Sequence, residues 1–324
     1  MIKVSFFNIL FFLRKAYLPL AILFVLYILT VQFPELTEIK HYVSFIDIYT
    51  FMYVTVLVFV SYFFRTMRWL LYIKKTERKA SNLYHSIIYL SGFAFTASPG
   101  KSGELMRAIH LTRLHVPFNY TLACFLSERL LDVIIVLNLG IYAIVIISDN
   151  SLFFVLSLIL LALPFFLKLF LSMHWISRYT QKITLISHTL PLWKADVTFI
   201  SMIYTVIAWS AQGVVLYFFL VALGEDIALH TAVSIYCLSL LIGAASLIPG
   251  GLGATELGMS WLLTQVGISP DMALIAALFT RALTLWPAMS IGVMCSGLLL
   301  KQNSTEKPPS LSDNKHVDNT PFHF

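Results

Sequence analysis

Six apolar runs set what this chain can fold into: residues 16–33, 48–73, 121–147 and about 151–171, 197–223 and 271–300. A bilayer core of about 30 Å takes about 20 consecutive apolar residues as a helix. Inside lipid the backbone must satisfy its own hydrogen bonds, and a run of this length does so by coiling. Composition agrees: 59% of residues are hydrophobic and 12% charged, where soluble domains carry about 25% charged residues. The expected fold is an all-α polytopic integral membrane protein. Residues 1–15, with Phe6, Phe7, Phe11 and Phe12 among basic residues, are expected to form an interfacial helix before the first span. No small-residue cleavage site follows that would mark a signal peptide. The Pro/Ser/Asn/Asp-rich tail at 301–324 is expected to be disordered.

Two stretches depart from this pattern. Ser98-Pro-Gly-Lys-Ser-Gly-Glu104 and Ser246-Leu-Ile-Pro-Gly-Gly-Leu-Gly-Ala-Thr-Glu256 share a Pro-Gly-x-x-Gly core followed by an acid. The shared positions are Pro99, Gly100, Gly103 and Glu104, then Pro249, Gly250, Gly253 and Glu256. An arginine in an apolar run follows each, Arg129 and Arg281. The apolar pieces flanking the first loop, 83–97 and 104–115, are too short to span, and 229–247 with 254–265 form a second broken pair around the other loop. Short segments broken by Pro and Gly are expected as two re-entrant hairpins, their loops buried among other helices. The order of loop, acid and arginine suggests a duplicated unit, with repeat halves at about 48–147 and 197–300.

Charge gives orientation. Of 22 Lys and Arg, sixteen lie in residues 1–15, 65–79, 168–194 and the tail, against Lys40 in the loops assigned to the opposite side. The positive-inside rule then places both termini in the cytoplasm. The first hairpin enters from inside and the second from outside, which makes the repeat an inverted one, a pattern of secondary transporters. The net charge of +6 has its source in these loops. A nucleic-acid partner is excluded, because no soluble basic domain exists to carry one.

Glu104, Arg107, Glu128, Arg129, Asp132, Glu256 and Arg281 are ionisable groups in or beside apolar runs. Each costs about 2.5–3.5 kcal/mol mid-membrane on insertion scales, and an intramembrane charge is by default a functional candidate. Glu128 and Asp132 share a helix face, with Arg129 beside them. Mutual neutralisation that staples helices together is the plain alternative for this acid pair. A guanidinium suits bidentate capture of phosphate, and loop amides at helix N-termini add positive charge nearby. The expected substrate is therefore anionic, with a phosphate headgroup. Gly213, Gly292 and Gly297 read as close-packing helix glycines.

No catalytic constellation, metal site or cofactor is expected. Gly100-Lys101-Ser102 resembles the end of a phosphate-binding loop, but Phe95 stands where its first glycine belongs. His110 and His115 are five apart, and Cys124, Cys237 and Cys295 have no paired spacing.

With these residues in hand, the chain resembles the flippase-like transmembrane family named after lysylphosphatidylglycerol synthase. The motifs that carry the likeness are Pro99-Gly-Lys-Ser-Gly-Glu-Leu-Met-Arg-Ala108, Ser127-Glu-Arg-Leu-Leu-Asp132 and Pro249-Gly-Gly-Leu-Gly-Ala-Thr-Glu256, then Arg281. The resemblance covers nearly all of 16–300. It implies movement of lipids or lipid-linked headgroups between leaflets, with the matching charged residues lining or gating the path. Only a short polar tail follows Leu300, so aminoacyl transfer is not expected. The leading expectation is an inner-membrane lipid flippase whose partners are anionic phospholipids or polyprenyl-phosphate lipids. The alternatives are an enzyme of polyprenyl-phosphate-linked glycosylation, a membrane partner of a glycosyltransferase, or a structural protein. A homodimer is possible through small-residue faces.

Overall fold

The computed structural model describes residues 47–74, 76, 80–148, 152–172 and 184–305. The expected N-terminal helix, the first span and the tail beyond 305 lie outside these residues. All regular structure among the described residues is helical.

Helix α1 (Ile48–Ile73) opens on Asp47, whose carboxylate accepts a hydrogen bond from the Thr50 amide at 2.9 Å. That bond holds the Asp47 carboxyl below the usual carboxylate range. Two faces separate along α1 at helical spacing. Ser61, Tyr62, Arg65, Arg68, Trp69 and Tyr72 are buried, whereas Tyr49, Met52, Val56, Phe59 and Phe63 are exposed and apolar. A helix with apolar side chains on its outer face suits lipid, not water.

The next helix, α2 (Asn82–Ser91), breaks into a 3-10 turn at Gly92–Phe95. The arm that follows is mostly 3-10: Pro99–Arg107, one α-turn at Ala108–Leu111, then Thr112–Leu114. Pro99 and two glycines within five residues keep this arm from nucleating a regular α-helix. Helix α3 (Phe118–Ser148) and helix α4 (Leu152–Ser172) follow. Between α4 and the next apolar run lies helix α5 (Thr184–Leu192), packed on α3 and followed by Trp193, which donates to Ser127 Oγ at 3.0 Å.

Helix α6 (Ala195–Ala222) lies along α1 and touches α3, α7 and α9. Helices α7 (Leu229–Ala245) and α8 (Ala254–Gln265) pack together across the Pro249–Gly251 turn. Helix α9 (Pro270–Thr305) continues through Pro287 and five residues beyond the expected end at 300. The first strong helix breaker after Leu300 is Pro308. The α1, α6 and α9 helices are each long and apolar enough to cross a membrane.

Between helices in lipid, packing and hydrogen bonds replace the hydrophobic effect as the cohesive force. Gly213 shows the packing: a Cβ there would lie 2.8 Å from Val233 Cα, so α6 and α7 meet backbone to backbone. At Gly292 a Cβ would run into the backbone of Phe93 and Ala94, which brings α9 onto the first 3-10 turn. Gly297 does not fit the expectation, because open space surrounds it.

Arg65 and Arg68 also leave the loop tally. Both are buried within the protein, so 14 of the 16 basic residues counted for one side remain.

Candidate functional site

The two broken pairs meet at their tips. A Cβ on Gly250 would lie 3.0 Å from Ala97 Cβ, and the positive φ of 68° there suits glycine. In the first tip Gly103 N donates to Ser98 Oγ at 2.7 Å, and Thr96 Oγ1 donates to Glu104 Oε1 at 2.8 Å. Lys101 sits there at φ 56°, a left-handed conformation that a non-glycine residue holds at a cost. In the second tip Gly251 and Gly253 have φ 63° and 78°, and Glu256 falls in the first turn of α8. That carboxylate complements the helix N-terminus. The first tip enters a 3-10 segment and so presents no equivalent α-helix terminus.

Each acid after a tip finds its arginine. Arg129 Nη2 approaches Glu104 Oε2 at 3.5 Å, and Arg281 Nε donates to Glu256 Oε1 at 3.0 Å. Both pairs are 25 residues apart in sequence, so the two units match in spacing and in partner. The second arginine also donates through Nη2 to Gly250 O at 2.6 Å, tying α9 to the tip.

The first unit is more heavily charged. Asp132 accepts from Arg68 Nη1 at 2.8 Å and from Trp209 Nε1 at 3.1 Å, and lies 3.1 Å from Arg129. Arg107 Nη2 donates to Glu128 Oε2 at 2.6 Å, with both side chains fully buried. That guanidinium lies over the rings of Trp69 (4.4 Å) and Tyr89 (5.0 Å).

A cavity of about 250 Å³ opens between the tips, α1, α3, α6, α7 and α9. Of the expected site residues, Arg129, Asp132, Gly250 and Arg281 line it. Glu104 and Glu256 stand behind the two arginines. Pro99, Gly100, Gly103, Pro249 and Gly253 shape the tips, whereas Arg107 and Glu128 pair with each other apart from the lining. The wall also holds Arg65, Lys101, Trp209 and Tyr236, which were not expected as site residues. Arg65 is 4% exposed, and its Nε and Nη2 have no hydrogen-bond partner among the described residues. It lies over the rings of Phe93 (5.0 Å) and Trp209 (5.2 Å), and Lys101 Nζ is 4.7 Å from the Trp209 ring centre.

The helical signal for Arg65 was present in sequence. Ser61, Arg65, Arg68 and Tyr72 recur every three or four residues on one face. A single tryptophan in an apolar run gives no such signal. Among the described residues no group of three His, Cys, Asp or Glu side chains is placed to hold a metal ion.

Residues 15–292 match the sequence profile of a family described as the lysylphosphatidylglycerol synthase TM region. The chain belongs to that family. The family match covers both tips, both acid–arginine pairs and the cavity, and makes this an integral membrane protein. Relatives by sequence include a UPF0104 membrane protein of Pyrococcus horikoshii. It is 29% identical over 103 residues, 32% of this chain and 30% of the relative. A UPF0104 membrane protein of Methanothermobacter thermautotrophicus is 32% identical over 85 residues, 26% of this chain and 25% of the relative. The aligned stretches thus span between a quarter and a third of these relatives' length.

Proposed function

We propose that the protein is a translocase that moves lipids with an anionic phosphate headgroup between the leaflets of the plasma (inner) membrane, without a chemical step. One observation carries this reading: a cavity walled by Arg129 and Arg281 lies where two broken helix pairs meet. Broken helices that converge on a charged pocket are the usual construction of a secondary-transport site. The headgroup exchanges water for arginines there, and its tails stay in lipid.

The same reading takes the two pairs as re-entrant hairpins of opposite orientation. The matched Glu104–Arg129 and Glu256–Arg281 pairs support a common ancestry of the halves. It keeps six spans and cytoplasmic termini, with 14 basic residues on that side after Arg65 and Arg68 are removed. The partners are anionic phospholipids or polyprenyl-phosphate lipids.

The test is scrambling of fluorescent anionic and zwitterionic phospholipids in proteoliposomes. Arg281→Ala frees both Glu256 and the Gly250 carbonyl and is expected to slow anionic-lipid flipping about tenfold or more, the size of one lost charge-assisted hydrogen bond. Equal rates in wild type and variant would overturn the proposed mechanism.

A further inference from the structure

The embedded charges do not balance. Among the described residues Arg65, Arg68, Lys101, Arg107, Arg129 and Arg281 are buried or half-buried around the site, against Glu104, Glu128, Asp132 and Glu256. Ion pairs account for Arg68, Arg107, Arg129 and Arg281. Arg65 and Lys101 are left with no ion pair, and both line the cavity beside Trp209. Glu104 and Asp132 act on both from beyond ion-pair distance, and cations without an acid in contact are costly in a membrane interior. The ring faces of Phe93 and Trp209 offset part of that cost but supply no hydrogen-bond acceptor. Two nitrogens of Arg65 remain buried and unbonded, donors for which the described residues provide no acceptor. Lys101 is held beside them in a left-handed conformation, where strain at a functional position is common.

We propose that Arg65 and Lys101 form the phosphate-binding subsite of this cavity, and that its ligand is a lipid ending in a phosphomonoester. The charge class follows from the count. Two unpaired cations match a group carrying about −1.5 to −2 at pH 7, as a phosphomonoester does with its second pKa near 6. A phosphodiester headgroup such as phosphoglycerol carries one charge and leaves a cation unmatched. Size agrees: a cavity of about 250 Å³ lies just below the range of about 300–1,000 Å³ for small-molecule sites, which suits a bare phosphate better than an oligosaccharide.

The lipid source follows from one wall. Val133 of α3 and Ile248 beyond α7 both line the cavity, and they are 51% and 44% exposed. Ala244 at the end of α7 lines it too and is exposed. An apolar, outward-facing wall next to a cationic pocket gives a hydrocarbon tail a way out sideways into the bilayer, which free phosphate does not need.

This rests on the translocase reading only for what happens after binding, so the test is of binding. The purified full-length protein is heated in detergent with phosphatidic acid, phosphatidylglycerol or inorganic phosphate, and the unfolding midpoint is followed. Phosphatidic acid is expected to raise the midpoint, with phosphatidylglycerol and inorganic phosphate at least about tenfold weaker by half-saturating concentration. Arg65→Met is expected to raise the midpoint of the ligand-free protein, because it removes an unmatched buried charge, and to weaken phosphatidic acid binding roughly ten- to a hundredfold. Arg65→Lys keeps the charge and loses the planar fork. It is expected to fold like wild type and still bind several-fold more weakly, which keeps the proposal testable should the methionine variant fail to fold. Equal response to phosphatidic acid and phosphatidylglycerol would overturn the charge assignment, and equal affinity for inorganic phosphate would overturn the lipid source. An Arg65 variant that is less stable without ligand and binds unchanged would show a structural role only and sink the subsite. Binding through Arg65 with no scrambling of any lipid would instead remove the translocase reading and leave the site standing.

Discussion

Glu128→Ala is expected to destabilise the protein by about 3–5 kcal/mol, the cost of leaving a buried charge without its partner. The Arg107–Glu128 bond is 2.6 Å long and neither side chain is exposed. Removing the carboxylate leaves Arg107 against the Trp69 and Tyr89 rings, with no other acid in an ion pair with it among the described residues. The double replacement Arg107→Met with Glu128→Leu removes both charges together. It is expected to come back within about 1–2 kcal/mol of wild type, since apolar replacement of a buried pair is often close to neutral. Thermal unfolding in detergent of the two single variants and the double variant gives the coupling directly. Scrambling by the double variant should match wild type, because neither residue lines the cavity. A double variant that is stable yet inactive would bring the pair into the transport path.

The second large effect comes from a residue with no side chain. At Gly292 the obstruction is backbone, the Ala94 nitrogen and the Phe93 carbonyl carbon, so no rotamer change relieves it. Gly292→Ala is therefore expected to cost about 1–3 kcal/mol, the usual size of overpacking, and Gly292→Leu to prevent folding. Gly297→Ala, one turn and a half along the same helix, has open space and is expected to gain up to about 1 kcal/mol in helix propensity. The contrast is read from unfolding midpoints of the three variants in one detergent. Equal effects at 292 and 297 would mean that α9 does not rest on the Gly92–Phe95 turn.

The sequence carried the helices well where apolar length decided them: α1, α3, α4, α6 and α9 begin within about three residues of the expected positions. It also marked the acid and the arginine of each unit, because ionisable residues are rare in apolar runs, but not which acid meets which arginine. It failed in three physical situations. Arg65 and Arg68 stand next to Lys74, Lys75, Arg78 and Lys79, and proximity to that basic run hid the helical spacing that turns them inward. Glu128 and Asp132 are neighbours by helix geometry, yet one binds Arg107 and the other Arg68 and Arg129. Which face of α3 meets which cation depends on packing that no local pattern encodes. Helix α5 has too short an apolar pattern to stand out, because its basic flanks outweigh Leu185, Ile186, Leu190 and Leu192.

The contact between Gly250 and Ala97 has a mechanical meaning. With each tip resting on the other and no atom's width between them, the cavity floor is a single joint shared by both halves. The second tip bears on the first, where Lys101 and Glu104 sit, and is tied through Arg281 to α9. On the translocase reading proposed above, such a joint would couple opening on one face of the membrane to closure on the other.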